Sequence, residues 1–149
     1  MPFEFEEIQG DLFRDPEPTD SLAHCVSEDL SMNKGIATLF NRAFGQVSHL
    51  RSQRCGPGEV AYLTVPGTDP PRHIFYLITK QRYFHKPTRD NFASALRNLR
   101  RLCEELGVTS LAVPRIGSGM DRLPKEWVER QIMLAFDGWE GRMRMYYLE

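Results

Sequence analysis

Several common protein classes are excluded by what this sequence of 149 residues lacks. It contains no apolar run near the roughly 20 residues that a helix needs to cross a bilayer. Its formal net charge is only −1, so it has no general electrostatic attraction to nucleic acid. The opening segment MPFEFEEIQG alternates apolar and acidic residues, unlike a signal peptide. We therefore expect a single globular domain over residues 1–149. We expect it to be a monomer that does not associate with a membrane and that acts inside the cell, in the nucleus or cytoplasm.

Cysteine is also scarce, and no metal or redox site is predicted. Cys25, Cys55 and Cys103 are odd in number and widely spaced, so neither a disulfide framework nor a zinc site is indicated. The sequence has no Walker loop, no GxGxxG string and no Ser–His–Asp signature. His24 and Cys25 lie in an apolar strand and are predicted to be core residues. We expect no cofactor.

The pattern of apolar residues predicts alternating strands and helices. Apolar alternation or short apolar runs predict strands at 3–9, 21–26, 59–65, 73–79, 110–113 and 143–148. Helical spacing predicts helices at 36–44, 92–106 and 124–136, with Gly45 and Gly107 as stops and Pro124 in the first turn of the last helix. The order predicts an α/β fold with a partly parallel central sheet and helices on both sides. Ligands in such folds bind beyond the carboxyl ends of strands, here the loops after Gln9, Val26, Thr79 and Val113.

The turn PRIGSGMDRL follows the buried strand SLAV and precedes a helix. Gly117 and Gly119 allow the main chain to approach a ligand closely, and N–H groups of such turns attract anions. The turn is either a phosphate cradle or an ordinary connection. Asp121 lies inside it, and because a phosphate repels a carboxylate, Asp121 would serve another part of the ligand. The alternative is a surface ion pair with Arg122.

A second segment resembles such a cradle. Ser27 follows the strand predicted at 21–26, and MNKGIA at 32–37 places Lys34 and Gly35 at the opening of a helix. Two facing turns of this kind fit a diphosphate better than a single phosphate. The alternative is an ordinary helix entry with a solvated lysine.

Lys80 ends the apolar strand HIFYLIT and is the candidate nucleophile. Partial burial at the mouth of a sheet disfavours an ammonium, so the amine becomes available to attack aldehydes or the C1 position of a sugar. Asp121 would be its acid, base or electrostatic partner. The alternative is that Lys80 only begins a solvated basic loop.

Two further loops carry alternatives of their own. Asp11, in GDLF, either accepts a hydrogen bond from an adenine amino group or caps a turn. The segment KQRYFHKPTR at 80–89 interleaves basic and aromatic residues. It either holds single-stranded nucleic acid by stacking and phosphate contact, or forms a solvated loop before a helix.

Taken together, the motifs resemble a family. The chain resembles macrodomains of the terminal ADP-ribose protein glycohydrolase type, through GDLF, TDSLAHCVSED, GIATLF, FYLITK, HKPT and PRIGSGMDRL, in that order. The resemblance implies a three-layer α/β/α fold with a central mixed sheet and a cleft for ADP-ribose. It implies Lys80 and Asp121 as catalytic residues. It also implies a set of residues that bind ADP-ribose: Asp11, Leu12, Ser27, Gly35, Ile36, Ala37, Thr79, Pro114, Arg115, Ile116, Gly117, Ser118, Gly119 and Met120.

The activity implied by the resemblance is removal of a terminal ADP-ribose from modified proteins, at Glu or Asp side chains, through a lysyl–ADP-ribose intermediate. Hydrolysis of O-acetyl-ADP-ribose is an implied side activity. The partners are therefore ADP-ribose and ADP-ribosylated proteins. Bacterial antitoxin macrodomains share the lysine position and a loop like MNKGIA, so ADP-ribosylated DNA is an alternative substrate. The other alternative is a module that binds ADP-ribose without turnover.

Overall fold

The computed structural model of the chain describes residues 2–118 and 122–148. Over these residues, six strands and four helices follow one another along the chain. They are β1 (Glu4–Gln9), β2 (Ser21–Ser27), α1 (Ile36–Phe44), α2 (Val47–Ser52), β3 (Val60–Val65), β4 (Arg72–Lys80), α3 (Arg89–Leu106), β5 (Ser110–Val113), α4 (Lys125–Ala135) and β6 (Arg142–Tyr147).

The strands form one mixed sheet in the order β1-β6-β5-β2-β4-β3. All neighbouring strands pair in parallel except β3, which runs antiparallel to β4. The carboxyl ends of β1, β2, β4, β5 and β6 therefore lie at the same edge of the sheet. This confirms the predicted α/β fold with a central, partly parallel sheet, and it brings the four candidate loops to one edge.

Alternation along β4 shows why helices cover both faces of the sheet. Phe75 and Leu77 belong to a core cluster that includes residues of α3 and α4. Ile74 and Tyr76 belong to a second cluster on the opposite face, with Phe40 of α1. Successive side chains of a strand point to opposite faces, so a strand buried on both sides requires a layer of helices on each. The three-layer arrangement is thus confirmed.

Local signals explain most of the helix boundaries. The Thr88 hydroxyl accepts a hydrogen bond from the Asn91 N–H and caps the start of α3. Gly107, with φ of 73°, ends α3 as predicted. The prediction for Pro124 was one residue off, because it precedes the first turn of α4 as its N-cap residue.

The short helix α2 is not among the helices predicted from the sequence. It spans six residues, of which only Leu50 is buried, so no apolar stripe announces it. Among the helices of the described residues, none has the length and apolar character to span a membrane.

Candidate functional site

A cavity of about 380 Å³ opens at the sheet edge where the parallel strands end. It lies between the loop that joins β2 to α1, the end of β4 and the turn after β5. The residues that line it are His24, Cys25, Val26, Ser27, Ser31, Met32, Asn33, Lys34, Gly35, Ile36, Ala37, Lys80, Tyr83, Pro114, Arg115, Ile116 and Gly117.

One wall of the cavity is the beginning of α1. Gly35 is the residue before the helix, with φ of 58°, and no side chain caps the first turn. Ile36 and Ala37, which open the helix, both line the cavity. The first N–H groups of a helix have no partner within it and carry a partial positive charge. This wall is therefore suited to hold an anion.

The opposite wall is the turn after β5. The Ile116 N–H donates to the Pro114 carbonyl at 2.7 Å, and the Leu123 N–H donates to the Gly117 carbonyl at 2.7 Å. Gly117 has φ of 74°, and a Cβ there would lie 2.8 Å from the buried ring of Phe92. Only glycine fits this position. Because glycine has no side chain, Gly117 lines the cavity with its main-chain atoms.

The rest of this turn is described only in part. Gly119, Met120 and Asp121, three of the candidate site residues, lie outside the described residues. Ser118 is described and half-buried.

Lys80 stands between the two walls, as the last residue of β4. It is half-buried and lines the cavity. Its carbonyl accepts a hydrogen bond from the Glu28 N–H at 2.8 Å, and its register partner on β2 is Ser27, where the register shifts. The pairing of β4 with β2 therefore sets where this lysine emerges.

Asp29 joins the two loops on either side of Lys80. Its carboxylate accepts hydrogen bonds from the Ser27 hydroxyl, from the Ser31 N–H at 3.3 Å, and from the Tyr83 N–H. Burial raises the pKa of Asp29, but these hydrogen bonds and the charge of Arg82 outweigh burial and hold that pKa below its usual value. No sequence pattern pointed to Asp29, since its partners come together only in the fold.

His24 lies at the floor of the cavity and is fully buried, as predicted for a core residue. Neither ring nitrogen has a hydrogen-bond partner within the described residues. Burial lowers the pKa of His24 to about 3, so the imidazole is neutral at physiological pH. Its neighbour Cys25 was predicted to be core as well, but it is only half-buried and lines the cavity.

Four described candidate residues are not among those that line the cavity: Asp11, Leu12, Thr79 and Ser118. The Asp11 carboxylate accepts from the Phe13 N–H at 2.9 Å and so caps its own turn. Leu12 is buried in the core cluster of Phe40, and Thr79 is fully buried.

Arg115 lines the cavity, but its guanidinium has partners elsewhere. It pairs with the Glu7 carboxylate at 3.2 Å and lies 4.2 Å from the centre of the Tyr147 ring. The Arg115 side chain therefore ties the turn after β5 to β1 and β6.

Several lining residues were absent from the predicted set: His24, Cys25, Val26, Ser31, Met32, Asn33, Lys34 and Tyr83. Three of them, Met32, Asn33 and Lys34, belong to the MNKGIA string, which the sequence already indicated as a possible anion-binding loop. Tyr83 is brought to the cavity by the loop after β4. Over residues 2–118 and 122–148, no three His, Cys, Asp or Glu residues group in a way that would hold a metal ion.

Comparison with known proteins gives a consistent result. The family model described as "Macro domain" matches residues 23–132. A human protein, "ADP-ribose glycohydrolase OARD1", is 46% identical over 95% of this chain and 90% of its own length. The "DNA ADP-ribosyl glycohydrolase" of Thermus aquaticus is 30% identical over 90% of this chain, which spans 38% of that protein.

Solved structures agree with the sequence comparison. The macrodomain of Thermus aquaticus DarG superposes with a TM-score of 0.83 at 26% identity, and the match covers 99% of both chains. Together with the cavity at the carboxyl ends of the strands, these matches show that the chain belongs to the macro domain family.

Proposed function

We propose that this protein is an ADP-ribosyl glycohydrolase that removes terminal ADP-ribose from modified macromolecules, foremost from Glu and Asp side chains of proteins. The observation that carries the proposal is the position of Lys80, half-buried in the wall of a cavity between two stretches of main chain suited to anions. The 46% identity to a protein named ADP-ribose glycohydrolase supports it. The first turn of α1 has N–H groups of the kind that a diphosphate requires, and we propose that the main chain of the turn after β5 supplies the rest.

We propose that the two walls hold different parts of the ligand. The first turn of α1, from Gly35 to Ala37, would hold one side of the diphosphate. The turn from Pro114 through Met120 would enclose its other side and the distal ribose, through main-chain N–H groups. Ser27 and Thr79 would shape the strand ends beneath the ligand. Asp11 and the Leu12 main chain would meet the adenine at the rim.

The chemistry follows from the amine beside the distal ribose. The Lys80 Nζ lone pair attacks the anomeric carbon, a C–N bond forms, and the C–O bond to the protein carboxylate breaks. The carboxylate leaves with the bonding electrons, and the new nitrogen centre loses a proton to solvent, which gives the lysyl–ADP-ribose adduct. Water then attacks the anomeric carbon while Asp121, the role we propose for it, takes a proton from that water; the C–N bond breaks, the nitrogen regains a proton, and ADP-ribose and the lysine are released. O-acetyl-ADP-ribose would be cleaved in the same cavity.

The test is release of ADP-ribose from an ADP-ribosylated protein by Lys80→Ala and Asp121→Ala variants. Lys80→Ala should keep ADP-ribose binding and lose release, because the amine breaks the bond. Asp121→Ala should accumulate an adduct, seen as added mass on the intact protein. Lys125→Ala is the control, since Lys125 lies outside the cavity and pairs with Glu7 at 3.1 Å. Full release by Lys80→Ala would remove the nucleophile from the proposal.

ADP-ribosylated DNA is the second candidate substrate. It is favoured by the 30% identity to a protein named DNA ADP-ribosyl glycohydrolase. Modified protein and modified DNA offered side by side, with free ADP-ribose as the readout, rank the two. Binding without release from either would leave a module that only recognises ADP-ribose.

We also propose that residues 1–149 act as one domain and as a monomer, in the nucleus or cytoplasm. A single cooperative unfolding transition tests the first point, and light scattering coupled to gel filtration tests the second. Imaging of the tagged chain tests the third.

A further inference from the structure

Three consecutive aromatic residues, Tyr83, Phe84 and His85, are exposed on the loop between β4 and α3. Tyr83 is 42% exposed and Phe84 is 69% exposed. The rings of Tyr83 and Phe84 meet edge to face with centroids 5.4 Å apart, and those of Phe84 and His85 are 4.7 Å apart. We call residues 83–85 the aromatic ledge. Large exposed rings of this kind mark surfaces that bind a partner.

The ledge is continuous with the mouth of the cavity. Tyr83 itself lines the cavity, and the Lys34 ammonium on the opposite loop lies 5.5 Å from the centre of its ring. Two hydrogen bonds fix the backbone of the ledge: the Tyr83 N–H donates to the Asp29 carboxylate, and the His85 N–H donates to the Arg82 carbonyl at 3.0 Å. A ligand that stacks here meets a backbone that is already ordered.

The segment that carries the ledge is basic. Residues 80–89 contain four basic residues and no acidic residue, although the whole chain has a net charge of −1. Two of these cations have neighbours of their own: Arg82 faces Asp29, and Arg89 lies 5.0 Å from the Trp127 ring. Lys86 is exposed beside the ledge, and Lys34 is exposed across the mouth. The surface therefore combines stacking rings with positive charge.

We propose that the aromatic ledge binds single-stranded nucleic acid, with an unpaired base stacked on Phe84 and backbone phosphates beside Lys34 and Lys86. Flat rings interleaved with cations match a chain of bases joined by phosphates, since every base offers a π-face. An acidic peptide would satisfy the cations but would leave the rings without partners. The proposal rests on the proposed function only in one respect, namely that the bound strand would present a modified nucleotide to the cavity.

The experiment is fluorescence anisotropy with a labelled, unmodified oligothymidine of about 12 nucleotides, a length within the range of site sizes of stacking proteins. We expect binding that weakens as salt rises, and a loss of about fivefold or more in Phe84→Ala. Phe84→Tyr should bind like the wild type because the ring is kept. Leu134→Ala is the control, since Leu134 is an exposed apolar residue of α4 outside the cavity.

Three results would overturn the proposal. The first is equal oligonucleotide binding by Phe84→Ala and the wild type. The second is displacement of the oligonucleotide by polyglutamate as readily as by unlabelled oligothymidine, which would reduce the ledge to a basic patch. The third is a ring-dependent affinity for an acidic peptide but not for the oligonucleotide.

ADP-ribose titration by calorimetry separates this proposal from the proposed function. Phe84 is not among the residues that line the cavity, so Phe84→Ala should bind free ADP-ribose as the wild type does. Ring-dependent oligonucleotide binding without release of ADP-ribose from any substrate would support the ledge and contradict the glycohydrolase. The reverse pattern would support the glycohydrolase and contradict the ledge.

Discussion

The imidazole of His24 lies flat on the ring of Phe40, with centroids 3.7 Å apart and 7° between the planes. His24 belongs to β2 and Phe40 to α1, so the stack joins the sheet to the helix whose first turn forms one wall of the cavity. Both residues are fully buried. Neither ring nitrogen has a hydrogen-bond partner within the described residues, so a buried charge on the imidazole would be uncompensated there and the stack favours the neutral form.

That requirement predicts a dependence of stability on pH. The pKa of His24 is about 3 in the folded chain against an ordinary 6.5. Between these values the unfolded chain binds one more proton, so the free energy of unfolding rises with pH across this window and falls as the pH drops below 6.5. We expect a loss of about 1.4 kcal/mol between pH 7.5 and 5.5 from this residue. Urea unfolding at the two pH values measures it.

The matched variant is His24→Phe, which keeps a ring against Phe40 and cannot bind a proton. It should lose most of the His24 contribution to the pH dependence. His73 remains as an internal reference, because burial lowers its pKa too and gives a contribution of the same sign. An unchanged pH dependence in His24→Phe would show that His24 is not the group responsible.

Gly117→Ala should destabilise the protein and weaken ADP-ribose binding. Its φ of 74° is unfavourable for alanine, and the added Cβ would lie 2.8 Å and 2.9 Å from two atoms of the Phe92 ring. Phe92 is fully buried and has no room to withdraw. We expect a loss of about 2–4 kcal/mol in the free energy of unfolding, from backbone strain and overpacking together. Chemical unfolding and ADP-ribose titration measure the two effects.

Gly107→Ala is the control for Gly117→Ala. Gly107 has a nearly equal φ of 73°, but a Cβ there would meet nothing within 4 Å. Gly107→Ala should therefore lose only about 1 kcal/mol of the free energy of unfolding, from backbone strain alone, and should bind ADP-ribose normally. Equal losses in the two variants would mean that contact with Phe92 does not constrain the turn.

The local pattern of apolar residues was enough to predict the strands, because a buried strand such as β4 has an almost continuous run of apolar residues. It also predicted the edge of the sheet that bears the cavity, since that follows from parallel strand order. It did not predict the contact of Asp29 with Tyr83, residues on separate loops that only the pairing of β2 with β4 brings together. Nor did it predict that Cys25 faces the cavity, because a seven-residue buried strand gives no sign of which side is open.

Arg115→Ala should have little effect on ADP-ribose affinity, less than about threefold. Its guanidinium pairs with Glu7 and stacks on Tyr147, so its contribution to the site is the main chain. If the guanidinium instead moved to the diphosphate on binding, the loss of a charged hydrogen bond would weaken affinity by tenfold or more, about 1.5–3 kcal/mol. Calorimetry distinguishes the two cases. Glu7→Gln, which removes the ion pair and keeps the arginine, should also leave the affinity near that of the wild type.

Asp29→Ala should lower both stability and activity, although Asp29 does not line the cavity. Its carboxylate holds the Ser27 hydroxyl and the Tyr83 N–H on the two loops beside Lys80, so its loss should let Lys80 move relative to the bound ribose. We expect about a tenfold loss in kcat/KM for ADP-ribose release, with the loss mainly in kcat. Glu28→Ala, an exposed neighbour, is the control.

The effect of Asp29 on stability should depend on pH in the same sense as that of His24, but in a lower pH window, because the folded pKa of both groups lies below the ordinary value. Because its folded pKa lies below the ordinary 3.8, its contribution is present above pH 3.8 and is lost as the pH falls through the folded value. Asp29→Ala should therefore be less stable than the wild type by about 1 kcal/mol near pH 7, after allowance for solvent screening, and the difference should shrink below pH 3.8. A constant difference across this range would assign the loss to packing. A normal kcat in Asp29→Ala would show that the loops hold Lys80 in place without this carboxylate.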